Sequence, residues 1–264
     1  MRQFSMQPAF AAAHFGEPAA CAFNFREAPR IEIAAARDTL RLSASVAGNF
    51  LRTVGAVGAR GRFIPTIIDN KYWFAKLYEF ITFEEINAAS QFSQPAFVMH
   101  FIPHFYGMYH DALNKWLQND RATVHPLWSL HFHKSARPDN DSIGSWAAGL
   151  RTSIVTGVTA HVRGDMATAL ERTYRSYVAK YCLAPPPRFD EFRSDFFERN
   201  RIVFERAKAS LLLEASRFGP LPVGPELGQF LFAKGEPFAG GLNIDEVYRW
   251  REQAWAEAKR RLGQ

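Results

Sequence analysis

Residues 143–180 read IGSWAAGLRTSIVTGVTAHVRGDMATALERTYRSYVAK, and this stretch decides the fold. It contains no proline, and its apolar residues recur every three or four positions, which is the spacing of one helix face. The residues of that face are Leu150, Ile154, Val158, His161, Asp165 and Ala169. Because the first half of the face is apolar, it should lie against a core. The stretch therefore predicts one long helix that buries a histidine and an aspartate.

A buried aspartate needs a partner, because an unpaired charge is costly to remove from water. A metal ion, an arginine or a polar substrate would each satisfy Asp165. Arg163 and Arg172 are close in sequence, but neither has ideal spacing for the Asp165 face. Two interpretations follow: His161 and Asp165 form a functional site, or they form a structural pair in which His161 donates to a carbonyl or hydroxyl group.

Helical patterns continue on both sides of this stretch, and turn signals separate them. Helices are predicted in 30–52, ending near Gly48 or Gly55, and over 72–89, 189–216 and 244–262. Residues 97–118 are predicted to form another helix or a pair of helices broken at Pro103. Irregular segments are predicted at 1–30, 55–61, 125–142 and 219–241. We expect a single all-α helical-bundle domain over 1–264, with long loops and an irregular N-terminal arm over 1–30. Its core is residues 70–216, and a C-terminal helix covers 244–262.

The composition is that of a globular protein, with 47% hydrophobic residues among 264. The formal charge of +6 permits an anionic partner. However, the basic residues are scattered and no nucleic-acid motif occurs, so nucleic acid is not the expected partner. No run of apolar residues is long enough for a membrane span. A basic surface and an exposed last helix are compatible with a homodimer.

The two cysteines, Cys21 and Cys182, lie far apart in sequence and form no CxxC motif. This spacing gives no disulfide framework. The N-terminal residues lack the continuous apolar segment of a secretory signal. A reducing cytoplasm is therefore the expected location.

Histidines are concentrated between His100 and His133, and His161 follows on the long helix. His161 and Asp165 are one helical turn apart, so both could reach one ion. His104 and His110 could complete the set from a neighbouring helix. Histidine and carboxylate ligands suit zinc or iron(II), so either metal is a candidate cofactor.

A metal-free site is the alternative. Asp165 would then hold His161 in one tautomer, and His161 would act as general acid or base, with His104 and Tyr109 as further catalytic candidates. The aromatic residues over 97–116 suit an apolar pocket, so the expected substrate is a small or lipid-like molecule. A non-catalytic ligand-binding or scaffold protein is the second hypothesis, in which the His/Asp pair only fixes helix packing.

Three short motifs support a family resemblance. Phe105, Tyr109, Asp111, Ala112 and Leu113 match F-x-x-x-Y-x-D-A-L; Ala160, His161 and Asp165 match A-H-x-x-x-D-L, with Met166 in place of leucine; Asp195, Phe196 and Asn200 match D-F-x-x-x-N. Together they resemble domain-of-unknown-function family 5995, a bacterial helical family, over roughly residues 70–216. The resemblance implies a helical fold and assigns no reaction or catalytic residue.

The sequence HVRGD, residues 161–165, is also similar to the H-x-x-G-D pattern of zinc-dependent phospholipase C and P1-type nucleases. This similarity implies zinc ligation by His161 and Asp165. Those enzymes also use an N-terminal tryptophan ligand, where this chain has Met1, and no second His-x-x-x-Glu helix is evident. A three-zinc site is therefore not expected.

Overall fold

The computed structural model describes residues 24–57, 63–67, 69–136, 143–218 and 242–264. Its α-helices are α1 (Ala28–Gly48), α2 (Lys71–Asn87), α3 (Pro95–Leu117), α4 (Pro126–Lys134), α5 (Ile143–Thr159), α6 (Met166–Lys180), α7 (Asn200–Phe218) and α8 (Ile244–Arg261). Short 3₁₀ turns cover Phe25–Glu27, Ala89–Gln91, Arg121–Thr123 and Phe189–Phe192. Two π-helical segments cover Ala160–Asp165 and Asp195–Arg199. The protein is an all-α domain, as predicted.

The long helix over 143–180 is confirmed, with a π-helical segment between α5 and α6. All the residues of its predicted inner face are buried, from Leu150 to Ala169. Gly157 lies on this helix where Phe74 of α2 approaches, and a Cβ atom there would stand 2.3 Å from the Phe74 ring. A glycine is needed at this position because any larger residue would displace that ring.

The helices pack around a core rich in aromatic rings. Helix α3 lies against α1 on one side and α6 on another, while α2 contacts α1, α5 and α7. Helix α8 packs on α6 and on the π-helical segment before it. This arrangement places α3 beside the π-helical segment and α6, while α5 packs on α2 and α4. Within the described ranges, no helix is both long and apolar enough to cross a lipid bilayer.

A two-stranded antiparallel hairpin was not predicted. Strand β1 (Leu51–Val57) pairs with β2 (Phe63–Ile67), with Leu51 opposite Ile67. The predicted turn over 55–61 is therefore strand as far as Val57, and residues 58–62 lie outside the described part of the chain. Glycine-rich sequence hid this strand, because glycine is rare in strands and typical of turns.

The predicted loop over 125–142 was wrong in its first half, which forms α4. His125 caps this helix, since its Nδ1 accepts from the backbone N–H of Leu127 at 3.3 Å, and Pro126 occupies the first helical position. Proline at that position favours a helix start, so it marked a beginning and not a break. His131 and His133 are consequently helical, with His131 buried and His133 exposed.

Helix α3 runs through Pro103, so the single helix is confirmed over 97–117 and the broken pair is not formed. The proline removes one backbone donor, but packing on α1 and α6 holds the helix together. Its start is fixed by Asp195, which accepts hydrogen bonds from the backbone N–H groups of Ser93 at 2.8 Å and Gln94 at 2.7 Å. Asp195 thus satisfies the backbone donors of the two residues immediately before the first helical position, Pro95.

Three further predictions concern the chain ends, the long loop and the cysteines. Residues 1–23 of the predicted arm and residues 219–241 of the predicted loop lie outside the described part, and α1 already begins at Ala28. Cys182 is disulfide-bonded, against the expectation from sequence. Wide sequence spacing does not prevent pairing, because folding brings distant positions together. Cys21 lies outside the described residues.

Candidate functional site

The π-helical segment Ala160–Asp165 carries both residues of the predicted His/Asp pair. A π turn closes its hydrogen bonds over five residues and is rare, and such turns are frequent at functional sites. This segment lies at the centre of the molecule, in contact with α3, α4 and α8. The fold thus inserts an irregular turn where His161 and Asp165 enter the core.

His161 and Asp165 are held together with Trp128 of α4. The Nδ1 atom of His161 is 3.3 Å from Asp165 Oδ2, and Trp128 Nε1 donates a 2.8 Å hydrogen bond to the same oxygen. Both members of the pair are buried. Because a carboxylate only accepts hydrogen bonds, Nδ1 carries the proton of neutral His161. The proton-free Nε2 then faces away from Asp165.

Aromatic rings surround His161. Phe105 stacks on its imidazole at 3.4 Å between ring centroids and 11° between planes. Tyr78 and Phe74 contact it edge-on at 5.2 and 5.7 Å. Burial lowers the pKa of His161 below its ordinary value, although Asp165 acts in the opposite direction. At neutral pH the imidazole is therefore uncharged.

A cavity of about 90 Å³ lies beside His161. Its polar walls are His161, Glu85 and Arg251, together with the hydroxyl-bearing ring of Tyr78. The remaining lining residues are apolar and come from α2, α3, the long helix, the second π-helical segment, α7 and α8: Phe74, Leu77, Ile81, Phe101, Ile102, Phe105, Val158, Val162, Met166, Phe196, Phe204 and Val247. An apolar cavity with few polar groups is the usual form of a small-molecule site.

Arg251 and Glu85 supply the charges of this cavity. Arg251 is 9% exposed and donates from Nη2 to the backbone carbonyl of Phe196. Burial lowers its pKa, while Tyr248 and Glu85 raise it. An arginine keeps its charge even when its pKa falls, so the cavity wall contains a cation. Neither residue was a candidate in the sequence, because isolated charges on separate helices give no local motif.

Two further unpaired polar groups lie close to this site. Tyr109 contacts Phe74 at 5.1 Å and Trp128 at 5.2 Å, the same rings that touch His161. Among the described residues, neither the Tyr109 hydroxyl nor Nε2 of His131 has a hydrogen-bond partner. Burial raises the pKa of Tyr109 and lowers that of His131 to about 3. Neither side chain is among the described residues that line the cavity.

Of the four predicted metal ligands, the structure brings His161 and Asp165 together but not His104 and His110. Among the residues described, no three His, Cys, Asp or Glu side chains could hold one metal ion. His104 turns toward α6, where its Nε2 is 2.9 Å from Ser176 Oγ. His110 contacts Asn114 of its own helix, with Nδ1 3.3 Å from the amide nitrogen. The two histidines are six positions apart on α3, so the helical turn points them in different directions.

The family of unknown function (DUF5995) matches the chain over residues 66–264. The chain belongs to this family. The match extends beyond the segment that the three motifs indicated, through α8 to the last residue. No curated protein and no solved structure matches the chain.

The family motifs occupy defined positions in the fold. The A-H-x-x-x-D element is the first π-helical segment, and the D-F-x-x-x-N element begins the second, at Asp195. Tyr109 of the remaining motif packs between the rings beside His161. Trp128 was not predicted as a site residue, because its segment was interpreted as a loop. A tryptophan beside a proline-started helix was the available indication.

Proposed function

We propose that the protein is an enzyme that performs acid–base chemistry on a small, largely apolar molecule in the cavity beside His161. One observation carries this proposal. His161 lines the cavity, and its Nε2 is buried and has no hydrogen-bond partner among the described residues. Such a nitrogen is costly to leave unpaired, so a substrate group that pairs with it would be bound favourably.

The geometry supports a different role for each of the two residues, Asp165 and His161. Asp165 holds the proton on Nδ1 of His161 and stabilises the imidazolium that forms when Nε2 takes a proton. His161 is neutral at pH 7 because burial lowers its pKa, so Nε2 begins as a base. Positioned acid–base groups of this kind contribute roughly 10²–10⁴-fold to reaction rates.

The cavity limits what can react. Its volume of about 90 Å³ is smaller than the roughly 150 Å³ of an engineered cavity that binds benzene. A substrate would therefore place only a few heavy atoms beside His161, as a short-chain molecule or the end of a lipid-like chain. Arg251 and Glu85 place charges of opposite sign on the cavity wall, so the two together favour neither sign of substrate charge.

Zinc or iron has no place in this proposal. The four predicted ligands, His161, Asp165, His104 and His110, do not converge in the described structure. The chemistry assigned to His161 and Asp165 therefore uses only side-chain proton transfer.

A non-catalytic ligand-binding protein is the second candidate. The observation in its favour is the cavity lining itself, which is almost entirely apolar. Under this alternative, Asp165 fixes helix packing and His161 offers one hydrogen bond to a ligand. The two candidates differ in whether a bound molecule is changed.

The test compares the natural protein with His161→Gln and Asp165→Asn in heavy water. Each protein is incubated with a small-molecule extract, and compounds that are consumed or that gain deuterium are followed by mass spectrometry. We expect at least one compound to change with the natural protein. The change should slow by roughly 10²–10⁴-fold without His161.

His131→Gln is the matched control, because His131 is also a buried histidine beside Phe74 but does not belong to the described cavity lining. It should keep the activity. Equal turnover by the natural protein and His161→Gln would exclude the acid–base role. A compound that binds without changing would favour the second candidate.

The expected cytoplasmic location and homodimer stay predictions. The disulfide at Cys182 weakens the argument for the cytoplasm, because stable disulfides are typical of oxidising compartments. Mass spectrometry of alkylated protein from native cells would show whether Cys182 is oxidised there. Light scattering of the purified protein would give the oligomeric state.

A further inference from the structure

A second cluster of reactive side chains joins α1, α3 and α6, separate from the cavity beside His161. Its centre is Ser176 of α6, whose Oγ lies 2.8 Å from Nε2 of His100. Nδ1 of the same histidine is 2.9 Å from Oε2 of Glu32. The three side chains therefore form a continuous chain from hydroxyl to imidazole to carboxylate.

The protonation pattern of this cluster follows from its partners. Burial alone would raise the pKa of Glu32, but hydrogen bonds from His100, Lys180 and Tyr181 bring it down to about 2. Glu32 is thus a carboxylate and accepts the Nδ1 proton of His100. In neutral His100, Nε2 is then free to accept the proton of Ser176.

A second histidine completes the arrangement around the hydroxyl. Nε2 of His104 is 2.9 Å from Ser176 Oγ. Burial is the main cause that lowers the pKa of His104 to about 4, so it is neutral at pH 7. A neutral His104 that is protonated on Nε2 donates to Ser176 and would stabilise the oxygen as its own proton leaves. The Thr173 carbonyl, 3.1 Å away, is a second acceptor for the hydroxyl.

We propose that Ser176, His100 and Glu32 form a nucleophilic site that hydrolyses small acyl esters. The arrangement has the roles of a nucleophile, its base and the group that orients the base. Glu32 lies on α1, outside the segment that the family model matches. Family membership therefore does not supply this assignment, which rests on contacts between α1, α3 and α6.

The reaction would take place in two balanced steps. Ser176 Oγ bonds to the acyl carbon while His100 takes its proton, and the ester C–O bond breaks as His100 returns that proton to the leaving alcohol. Water then attacks the acyl-serine and gives a proton to His100. That proton passes to Ser176 Oγ as the acyl group leaves as a carboxylic acid.

The surroundings are suited to such a substrate. Ser176 and His104 are partly exposed, so the site is open to solvent. Arg172 is exposed one turn before Ser176 on α6, and its charge acts on His104. A cation in this position would stabilise a developing oxyanion. Phe25 is 47% exposed and contacts Tyr181, which offers an apolar surface for an acyl group.

The experiment uses a fluorophosphonate probe, which forms a covalent bond with activated serines, and p-nitrophenyl acetate as the ester. The full chain should take up one probe molecule, and peptide mass spectrometry should place it on Ser176. Ser176→Ala should lose labelling, and His100→Gln should slow both labelling and ester cleavage by roughly 10²–10⁴-fold.

Ser43→Ala is the matched control, because Ser43 is another helical serine whose Oγ donates to a backbone carbonyl, that of Leu40 at 2.9 Å. It should label like the natural protein. His161→Gln should also label normally, which separates this site from the cavity. Absence of labelling in the natural protein, or labelling elsewhere, would overturn the proposal even if a variant failed to fold.

Discussion

Trp128 donates a 2.8 Å hydrogen bond from its indole nitrogen to the buried carboxylate of Asp165. This bond joins α4 to the π-helical segment and compensates part of the cost of burying a charge. The arrangement accounts for Asp165 without the metal ion or arginine that the sequence suggested. Because Trp128 lies outside the His/Asp pair, substituting it measures how much this hydrogen bond contributes to the free energy of unfolding.

Replacing Trp128 with phenylalanine should lower the free energy of unfolding by about 1.5–3 kcal/mol beyond the loss of packing, because a buried carboxylate loses a donor. Urea denaturation measures this change. Trp255→Phe is the comparison, since Trp255 donates at 3.2 Å to Asp190, whose side chain is 48% exposed. Water can replace that donor. Equal losses in the two variants would contradict the importance of the Trp128 bond.

Stability should fall as the pH drops below about 6.5. Burial lowers the pKa of His131 to about 3 and also lowers that of His161, so the folded protein cannot take up protons that the unfolded chain binds. Between pH 7 and 5, each such histidine contributes a slope of up to about 1.4 kcal/mol per pH unit. Above the unfolded pKa this dependence disappears.

Urea midpoints across this pH range give the slope. Glu32 acts in the same direction but only at lower pH, because its pKa is lowered to about 2 and its contribution is lost between about 4.5 and that value. His131→Gln should therefore reduce the slope between pH 5 and 7. An unchanged slope would show that His131 is protonated in the folded protein.

Gly157→Ala should destabilise the protein by about 1–3 kcal/mol, the usual cost of overpacking a core. The new methyl group would stand 2.3 Å from the ring of Phe74, which in turn contacts His161. Gly107→Ala provides the control, because nothing lies within 4 Å of its added Cβ. There alanine should stabilise α3 by about 0.5–1 kcal/mol. Thermal denaturation of both variants tests whether Gly157→Ala is destabilised and Gly107→Ala is stabilised.

Asp195→Asn should weaken the start of α3. An amide can accept from one of the two backbone donors of Ser93 and Gln94, but its NH₂ group opposes the other. We expect a loss of about 1–3 kcal/mol and faster amide exchange in the first turn of α3. Asp38→Asn removes an exposed carboxylate and should change stability by less than about 1 kcal/mol. Similar effects at both positions would mean that Asp195 is not a cap.

Periodicity predicted most of the helices and the buried face from Leu150 to Ala169, because core contact imposes a repeat that is visible locally. It also placed His161 beside Asp165. It could not identify Trp128 as the partner, since that contact joins helices distant in sequence. The same limit hid the Ser176–His100–Glu32 cluster, whose members are ordinary helical residues that packing alone brings together.

The metal hypothesis shows a related limit. Counting histidines in sequence treats them as equivalent, but on α3 His100 and His104 share one face while His110 lies on another. His100 and His104 contact Ser176, while His110 contacts Asn114. Helical geometry decides which residues share a site, and six residues of helix turn His110 about 120° away from His104.

The π-helical segment also sets the angular phase of the two halves of the long helix. A turn closed over five residues holds one residue more than an α turn, which advances everything after it by about 100°. His104 of α3 contacts Ser176, which follows the π-helical segment. The adjacent Phe105 contacts His161, which lies within the segment. Deleting a single residue there would restore a regular helix and turn Ser176 away from α3. The extra residue in this turn therefore keeps both the His161 site and the Ser176 site in contact with α3.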